Sequence, residues 1–570
     1  MGKIEMIEWL EQFLVRYPEI TLFLVIAIGY WIGSFKIGAF SLGPVTGALF
    51  AGLLIGWFAP VPVSSMTKSF LFLLFLFGIG YSVGPQFMQS ITRRDGLKPM
   101  LLAVVVCISG LAVAILVAKI LRLDPGFSAG LLSGGLTHSA AMGTATDAIN
   151  GLALSEVDRG RFVAHVAVAD AVCYIFGYAG VIAFCTTIAP ALLRINLRTE
   201  ALKLEEALGV VRSKPGLASA WRKFELRAYR LAKNSPLAGL TVAAAEERVP
   251  AQRLFIHRLR RGETIIEAEP GATLQVGDVV ALSGRREFIV EHVGPIADEV
   301  EDKELLDVPI MTADVVLTNK KLAGMSLGDA SEQDWARGLY LRWVRRGSQE
   351  IPIAAGVELQ RGDTLRIVGP EPVVERAVAN IGANVDPHSS IDFVVLGLAI
   401  FLGGIVGVLV TFPVGSAKIA LSTSVGTLLA GLVVGYLRSI YPLFGRVPQG
   451  SIDLMTSLGL AAFVGLTGIH AGPIFFSALK EAGIGLLFGG MAVTLLPQVI
   501  GLFFGRYILR MNPILLLGAL AGGQTVTAAM AAIQERSGSP VAVLGYAPAY
   551  PIANIFLTTW GTIIVYVIGG

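Results

Sequence analysis

Apolar residues recur along this chain in stretches long enough to cross a bilayer, which takes about 20 residues of helix, six times before a polar middle and six times after it. The first set covers about 19–37, 41–58, 68–91, 97–121, 126–150 and 160–190, and the second about 391–410, 421–437, 452–479, 484–507, 513–534 and 541–568. The fifth member of each set departs from the rest: SGGLTHSAAMGTATDAIN and AGGQTVTAAMAAIQERSG are rich in Gly, Ala, Ser and Thr and poor in Leu, Ile and Phe. Such a segment makes a poor lipid-facing helix. Irregular backbone at membrane depth survives only inside protein or beside water, so these two are expected to be re-entrant or broken helices.

The two sets are copies. Gly134-Gly135-Leu136-Thr137-His138-Ser139-Ala140-Ala141-Met142 and Gly522-Gly523-Gln524-Thr525-Val526-Thr527-Ala528-Ala529-Met530 share GGxTx[ST]AAM at a spacing of 388 residues. At the same spacing Gly80, Gly84 and Pro85 fall on Gly468, Gly472 and Pro473, and at 379 Ala51, Gly52 and Gly56 fall on Ala430, Gly431 and Gly435. If all six segments span, the halves are parallel and Arg93, Arg94 and Lys98 lie outside. If the fifth is re-entrant, each half crosses five times and the halves are inverted. The cytoplasmic face then collects Lys36, Arg93, Arg94, Lys98, Arg194, Arg198, Arg438, Arg446, Arg506, Arg510 and Arg536, leaving Lys68, Arg122, Arg159, Arg161, Lys418 and Lys480 outside. The second arrangement obeys the positive-inside rule better, and it predicts an α-helical membrane protein of two inverted repeats with a cytoplasmic α/β insert and periplasmic termini.

Composition agrees: 570 residues that are 54% hydrophobic and only 15% charged are not an ordinary soluble chain. Charge concentrates between about Arg194 and Asp386, which sets expected domains of 1–198, 199–300, 301–386 and 387–570. A net charge of +3 reflects loop cations and implies no nucleic-acid partner. Cys107, Cys173 and Cys185 sit in apolar runs as small buried hydrophobes. Glu5, Glu8 and Glu11 interleaved with Ile7, Leu10 and Leu14 read as an interfacial amphipathic helix that is retained and not cleaved.

The insert repeats within itself at a spacing of 85 residues. Leu237-Ala238-Gly239 matches Leu322-Ala323-Gly324, Arg260-Arg261-Gly262 matches Arg345-Arg346-Gly347, and Gly277-Asp278 matches Gly362-Asp363. Alternating apolar runs before Gly284 and Gly369 predict strands. Over about 218–382 the two copies resemble the RCK C-terminal (TrkA-C) domain, which implies a regulatory small ligand or a dimerisation platform.

Together with that pair, the stretches Gly78–Phe87 (GIGYSVGPQF), Gly134–Ile149, Gly522–Met530 and Tyr546–Asn554 (YAPAYPIAN) resemble the bacterial aspartate:alanine exchanger family across nearly the whole chain. The resemblance implies antiport of L-aspartate against L-alanine across the inner membrane, by a homodimer. The alternative within transport is a dicarboxylate or glutamate exporter with a succinate-like substrate. A channel gated by the TrkA-C pair is a different class, disfavoured because no filter-like pore loop occurs. An integral membrane enzyme is disfavoured too, since P-loop, HExxH, GxSxG and clustered metal ligands are missing. No cofactor and no metal are expected.

An anionic amino acid needs donors for its carboxylates and acceptors for its ammonium. Backbone amides after Gly134-Gly135 and Gly522-Gly523, with Thr137, His138, Ser139, Thr144, Gln524, Thr525 and Thr527, are the expected lining. Tyr546, Tyr550 and Asn554 are expected contacts beside a last helix broken at Pro548 and Pro551, or merely kinked there. Asp147, His165, Asp170 and His470 are candidate coupling or polar-core groups. Plain helix packing through small residues is the competing account of the Gly-rich segments.

Overall fold

The apolar runs become helices, the two Gly-rich ones becoming two helices each, and glycines line the contacts between many of them. The computed structural model describes residues 3–569 apart from 38–39, 42, 93–96, 210–223, 234, 249–253, 286–288, 290–292, 294–295, 347–348, 385–390, 415–416 and 442–443. Arg93, Arg94 and Gly347, used above, therefore lie outside the described residues. The chain divides into a helical unit, comprising Met1–Glu206, Arg345–Ile351 and Pro387–Gly570, and an α/β unit, comprising Ala207–Val344 and Pro352–Asp386.

In the first half of the helical unit the elements are α1 (Lys3–Arg16), α2 (Pro18–Gly33), α3 (Pro44–Phe58), α4 (Ser65–Thr92), α5 (Leu97–Leu121), α6 (Pro125–Gly135), α7 (Ala140–Gly151) and α8 (Glu156–Ala183). The second half repeats the series from α2 onward as α9 (Phe393–Leu409), α10 (Thr423–Ile440), α11 (Gln449–Ala471), α12 (Gly485–Phe503), α13 (Pro513–Gly523), α14 (Thr527–Ser537) and α15 (Val543–Gly569). Seven helices are long and apolar enough to span by themselves, or eight when α1 and α2, bent by 107°, count as one. The described residues thus form a multi-pass membrane unit. The expected break at Pro548 and Pro551 does not occur: both lie inside a continuous α15. Within a bundle, neighbouring helices make up for the backbone bonds a proline removes.

The glycines that marked the duplication are contact points between the copies. A Cβ on Gly52 of α3 would stand 2.2 Å from the Gly465 carbonyl of α11, and one on Gly80 of α4 would stand 2.2 Å from the Leu428 carbonyl of α10. The two halves are therefore interleaved through small-residue seams, each of these two seams drawing one helix from each copy.

The Gly-rich segments are re-entrant hairpins. Along α6 and α8, Gly126 meets Phe162, Gly130 meets Val166 and Gly134 meets Asp170, so the two helices run the same way. The chain must come back between them, and α7 does so: Gly569 touches both Pro125, where α6 begins, and Leu152, just beyond α7. The second hairpin copies this, with Gly518 against Ala542 and Gly522 against Tyr546. Its open end lies at the opposite face, because Arg536 donates to the Thr186 carbonyl (2.8 Å) beyond the far end of α8. With the shorter apolar helices α3 and α9 taken as crossings, five per half and an inverted pair follow. Lys98, Arg194, Arg198, Arg438, Arg446, Arg506, Arg510 and Arg536 then share the face where α8 ends, and Lys68, Arg122, Arg159, Arg161 and Lys480 the other.

In the α/β unit, strands β1 (Phe224–Arg230), β2 (Phe255–Arg261), β3 (Thr264–Glu267), β4 (Val279–Arg285) and β5 (Asp298–Val300) form a sheet in the order β3-β2-β4-β1-β5. Strands β6 (Ile310–Leu317), β7 (Tyr340–Arg346), β8 (Gln349–Ile351), β9 (Thr364–Pro370) and β10 (Gly382–Asn384) repeat the order as β8-β7-β9-β6-β10, although β8 and the last two residues of β7 group with the helical unit. The Gly-Asp pair explains one turn in each copy. Gly277 and Gly362 take φ of 89° and 86°, which glycine adopts freely, and the following aspartates close the turn by accepting from Gln275 N (2.8 Å) and Gln360 N (2.7 Å).

Candidate functional site

Each hairpin starts from the same local chemistry. Asp124 caps α6 by accepting from Phe127 N at 2.8 Å, Asn512 caps α13 by accepting from Ile514 N at 2.9 Å, and a proline follows each cap. Each first arm then stops at Gly-Gly, and the threonine two residues further on turns left-handed, Thr137 at φ 55° and Thr525 at φ 56°. A β-branched residue there costs about 1–3 kcal/mol, so the surroundings must hold it.

What holds it is the other hairpin. Thr137 Oγ1 donates to the Gln524 carbonyl at 2.8 Å, joining the break of one repeat to the break of the other. His138 places Nδ1 3.3 Å from Thr525 Oγ1 and Nε2 2.8 Å from Thr558 Oγ1. Thr144 donates to the Thr558 carbonyl at 2.6 Å, and Thr494 of α12 donates to the Gly135 carbonyl at 2.7 Å. Gln524 Nε2 reaches the Thr494 carbonyl at 3.1 Å. Thr137, His138, Ser139, Thr144 and Gln524 are all buried, so this is a polar knot in the middle of an apolar bundle.

The amides expected to form a cradle are not free. The amides after Gly134-Gly135 are already spent, with Leu136 N bonded to Leu132 O, Thr137 N to Gly134 O and His138 N to Ser133 O, and Thr525 N and Val526 N likewise bond Gly522 O and Ala521 O. A helix C-terminus claims such N–H groups to close its last turn. At the starts of α7 and α14 first-turn amides are bonded too, Ala141 N to His138 O, Met142 N to Ser139 O, and Ala529 N and Met530 N to Val526 O, so what these starts offer beside Ser139 and Thr527 is the partial positive charge of the helix dipoles.

On α15, Tyr546 sits 3.2 Å from Thr527 through its hydroxyl and stacks on Tyr550 at 5.3 Å, and Asn554 Nδ2 donates to the Tyr550 carbonyl at 2.9 Å. This aromatic step stands beside the second hairpin. Tyr546, Ala547 and Tyr550 line a small cavity with Ser82, Val83, Gln86, Arg346 and Gln349. Arg346 and Gln349 fall in the insert by sequence but belong to the helical unit.

The four ionisable candidates separate. Asp170 is buried against the first hairpin and accepts from Ser133 at 2.6 Å. Asp147 takes a short bond from Ser424 and lies near Lys68. His165 packs its ring 3.9 Å from that of Phe127 and meets Asp124 at 2.6 Å. His470, exposed at the end of α11, bonds the Gly160 backbone and lies near the same Lys68 as Asp147. Asp124, His165 and Glu481 bring three ligand-type atoms within 4.8 Å of one another, the one such group among the described residues, but Asp124 is already a helix cap and Glu481 is exposed.

Sequence reasoning missed Ser133, Thr494, Gln498 and Thr558. Each is an isolated polar residue in an apolar helix, which was the available signal.

Interleaved inverted repeats whose re-entrant hairpins meet at a buried polar knot define a membrane transporter. Comparison places it more closely. The chain belongs to the family of the predicted permease membrane region named for aspartate–alanine exchange, matched over residues 21–190 and 395–566. A TrkA-C domain is matched over residues 226–289, and the second sheet has the same strand order. Relatives carrying the name uncharacterized transporter include one of Bradyrhizobium diazoefficiens, 72% identical over 91% of this chain and 100% of its own. Others are one of Shewanella oneidensis, 38% identical over 98% and 100%, and one of Bordetella bronchiseptica, 39% identical over 98% of each. No solved structure matches.

Proposed function

We propose that the chain is a secondary antiporter exchanging L-aspartate for L-alanine across the bacterial inner membrane by alternating access. The observation that carries the reading is the Thr137 to Gln524 bond, which joins two hairpins entering from opposite faces. A site placed there opens to either side by rocking one helix group against the other. The return-helix starts beside Ser139 and Thr527 supply partial positive charge for carboxylates. On this reading, the face rich in Arg and Lys is cytoplasmic, so the TrkA-C pair is cytoplasmic and available to a small regulatory ligand, and the termini are periplasmic. A homodimer is the assembly that goes with it.

The test is uptake of labelled L-aspartate into proteoliposomes preloaded with L-alanine, L-aspartate, succinate or nothing. Stimulation by internal alanine and aspartate, absent from empty vesicles, is the expected result. Succinate flux without aspartate uptake would replace the substrate assignment by the dicarboxylate reading.

A further inference from the structure

The knot at the hairpin crossing is short of donors in use and long on lone pairs. The single hydroxyl hydrogen of Thr137 is shared between the carbonyls of Leu136 (2.7 Å) and Gln524, and that of Thr494 between the carbonyls of Gly135 and Gly490 (2.9 Å). Two glutamines cross the α12–α13 contact in opposite directions: Gln524 Nε2 donates to Thr494 O at 3.1 Å, and Gln498 Nε2 donates to Leu520 O at 3.2 Å. Both side chains have 0% exposure, and in both the other end, Oε1, has no hydrogen-bond partner. A buried amide oxygen without a donor costs about 1–3 kcal/mol, and here two of them belong to the same α12–α13 contact, Gln498 four residues beyond Thr494 on α12 and Gln524 four residues beyond Leu520 at the end of α13. The C-terminal ends of α6 and α13 meet at the same place and add partial negative charge.

We propose that Gln498 Oε1 and Gln524 Oε1 form a binding site for a monovalent cation at the crossing: the ammonium of a substrate amino acid, or a coupling Na⁺. This rests on the antiport reading and deepens it. The partial positive charge at the starts of α7 and α14 takes the carboxylates, while the acceptors at the ends of α6 and α13 take the cation. An amino acid with both groups spans the two, whereas a dicarboxylate leaves the glutamine oxygens empty unless Na⁺ fills them.

The experiment uses the full chain with Gln498→Leu, Gln524→Leu and Gln524→Glu, first checked for unchanged elution and melting in detergent. Aspartate and succinate uptake into proteoliposomes is measured with and without Na⁺, and in parallel the rise in melting temperature caused by L-aspartate, L-alanine, succinate or NaCl. The expected result is a KM for aspartate raised about tenfold or more in both Leu variants and largely restored in Gln524→Glu, with no Na⁺ dependence. That outcome assigns the site to the ammonium. Na⁺-dependent flux whose half-saturating Na⁺ rises about tenfold in the Leu variants assigns it to Na⁺ instead. If that flux carries succinate and no aspartate, the substrate reading fails while the cation site stands. The site itself is overturned if folded Leu variants keep KM and Na⁺ response within twofold, or if neither amine ligands nor Na⁺ stabilise the protein through these residues.

Discussion

At the scale of single residues, Thr137 and Thr525 carry opposite obligations. Each sits at a backbone conformation that suits glycine better, yet each keeps a hydroxyl that the crossing uses: Thr137 bonds Gln524 O, and Thr525 faces His138. A glycine would relax the turn and lose the bond. The prediction is that Thr137→Ser transports within about threefold of the parent, while Thr137→Val loses transport with expression intact. The valine strands the buried Gln524 carbonyl at a cost of about 1–3 kcal/mol in the state with the hairpins joined. Initial exchange rates normalised to protein inserted in the vesicle membrane check this. Equal rates for the two variants would show that the hydroxyl is idle.

At the scale of elements, what the sequence made legible is what the covalent pattern repeats. The glycine spacings predicted the duplication, and the structure shows them as the seams between α3 and α11 and between α4 and α10. The fifth segment was legible as irregular, and the loop cations favoured its reversal, but the contacts that close the hairpin were not legible. Whether it reverses depends on Pro125 and Leu152 both meeting Gly569, a contact between distant parts of the chain that no local pattern encodes. His138 shows the same limit, since its partners Thr525 and Thr558 come from the other copy. The insert was legible as strands before glycines, yet the joint between its copies was not: Arg337 pairs bidentately with Glu246 at 2.8 and 2.7 Å, and His257 meets Ser283, which contacts Tyr340. That joint titrates. Burial, helped by Arg337 and Arg258, pushes His257 down to about 4 from its usual 6.5. A lowered histidine stays neutral in the fold but protonates on opening, so stability is lost as pH falls from about 6.5 toward 4. Between pH 7 and pH 5 the joint should lose on the order of 2 kcal/mol. Hydrogen exchange of β2 and β4 in the full chain reads it, with faster exchange at pH 5 in the parent and a flatter response in His257→Gln.

At the scale of the whole molecule, the inverted pair makes a prediction that parallel repeats reverse. Glu156 starts α8 beside the mouth of the first hairpin, and Glu535 ends α14 beside the mouth of the second. If the fifth segments are re-entrant, as the contacts of Gly569 and Arg536 require, these two residues lie on opposite faces. If both fifth segments spanned, the count of crossings would put them on the same face. Both positions are exposed, and the three native cysteines are buried and are replaced by alanine for this test. In oriented vesicles an impermeant thiol reagent should label Glu156→Cys from one side only and Glu535→Cys from the other only. Lys480→Cys should follow Glu156→Cys, and Gln449→Cys should follow Glu535→Cys. Because α8 begins at one face and ends at the other, the side that labels Glu535→Cys is also the side from which the chain leaves for the TrkA-C pair. Labelling that position from the cytoplasm would therefore place the insert there, where a cytoplasmic ligand reaches it. Labelling it from outside would turn the whole molecule over without changing a single contact within the bundle.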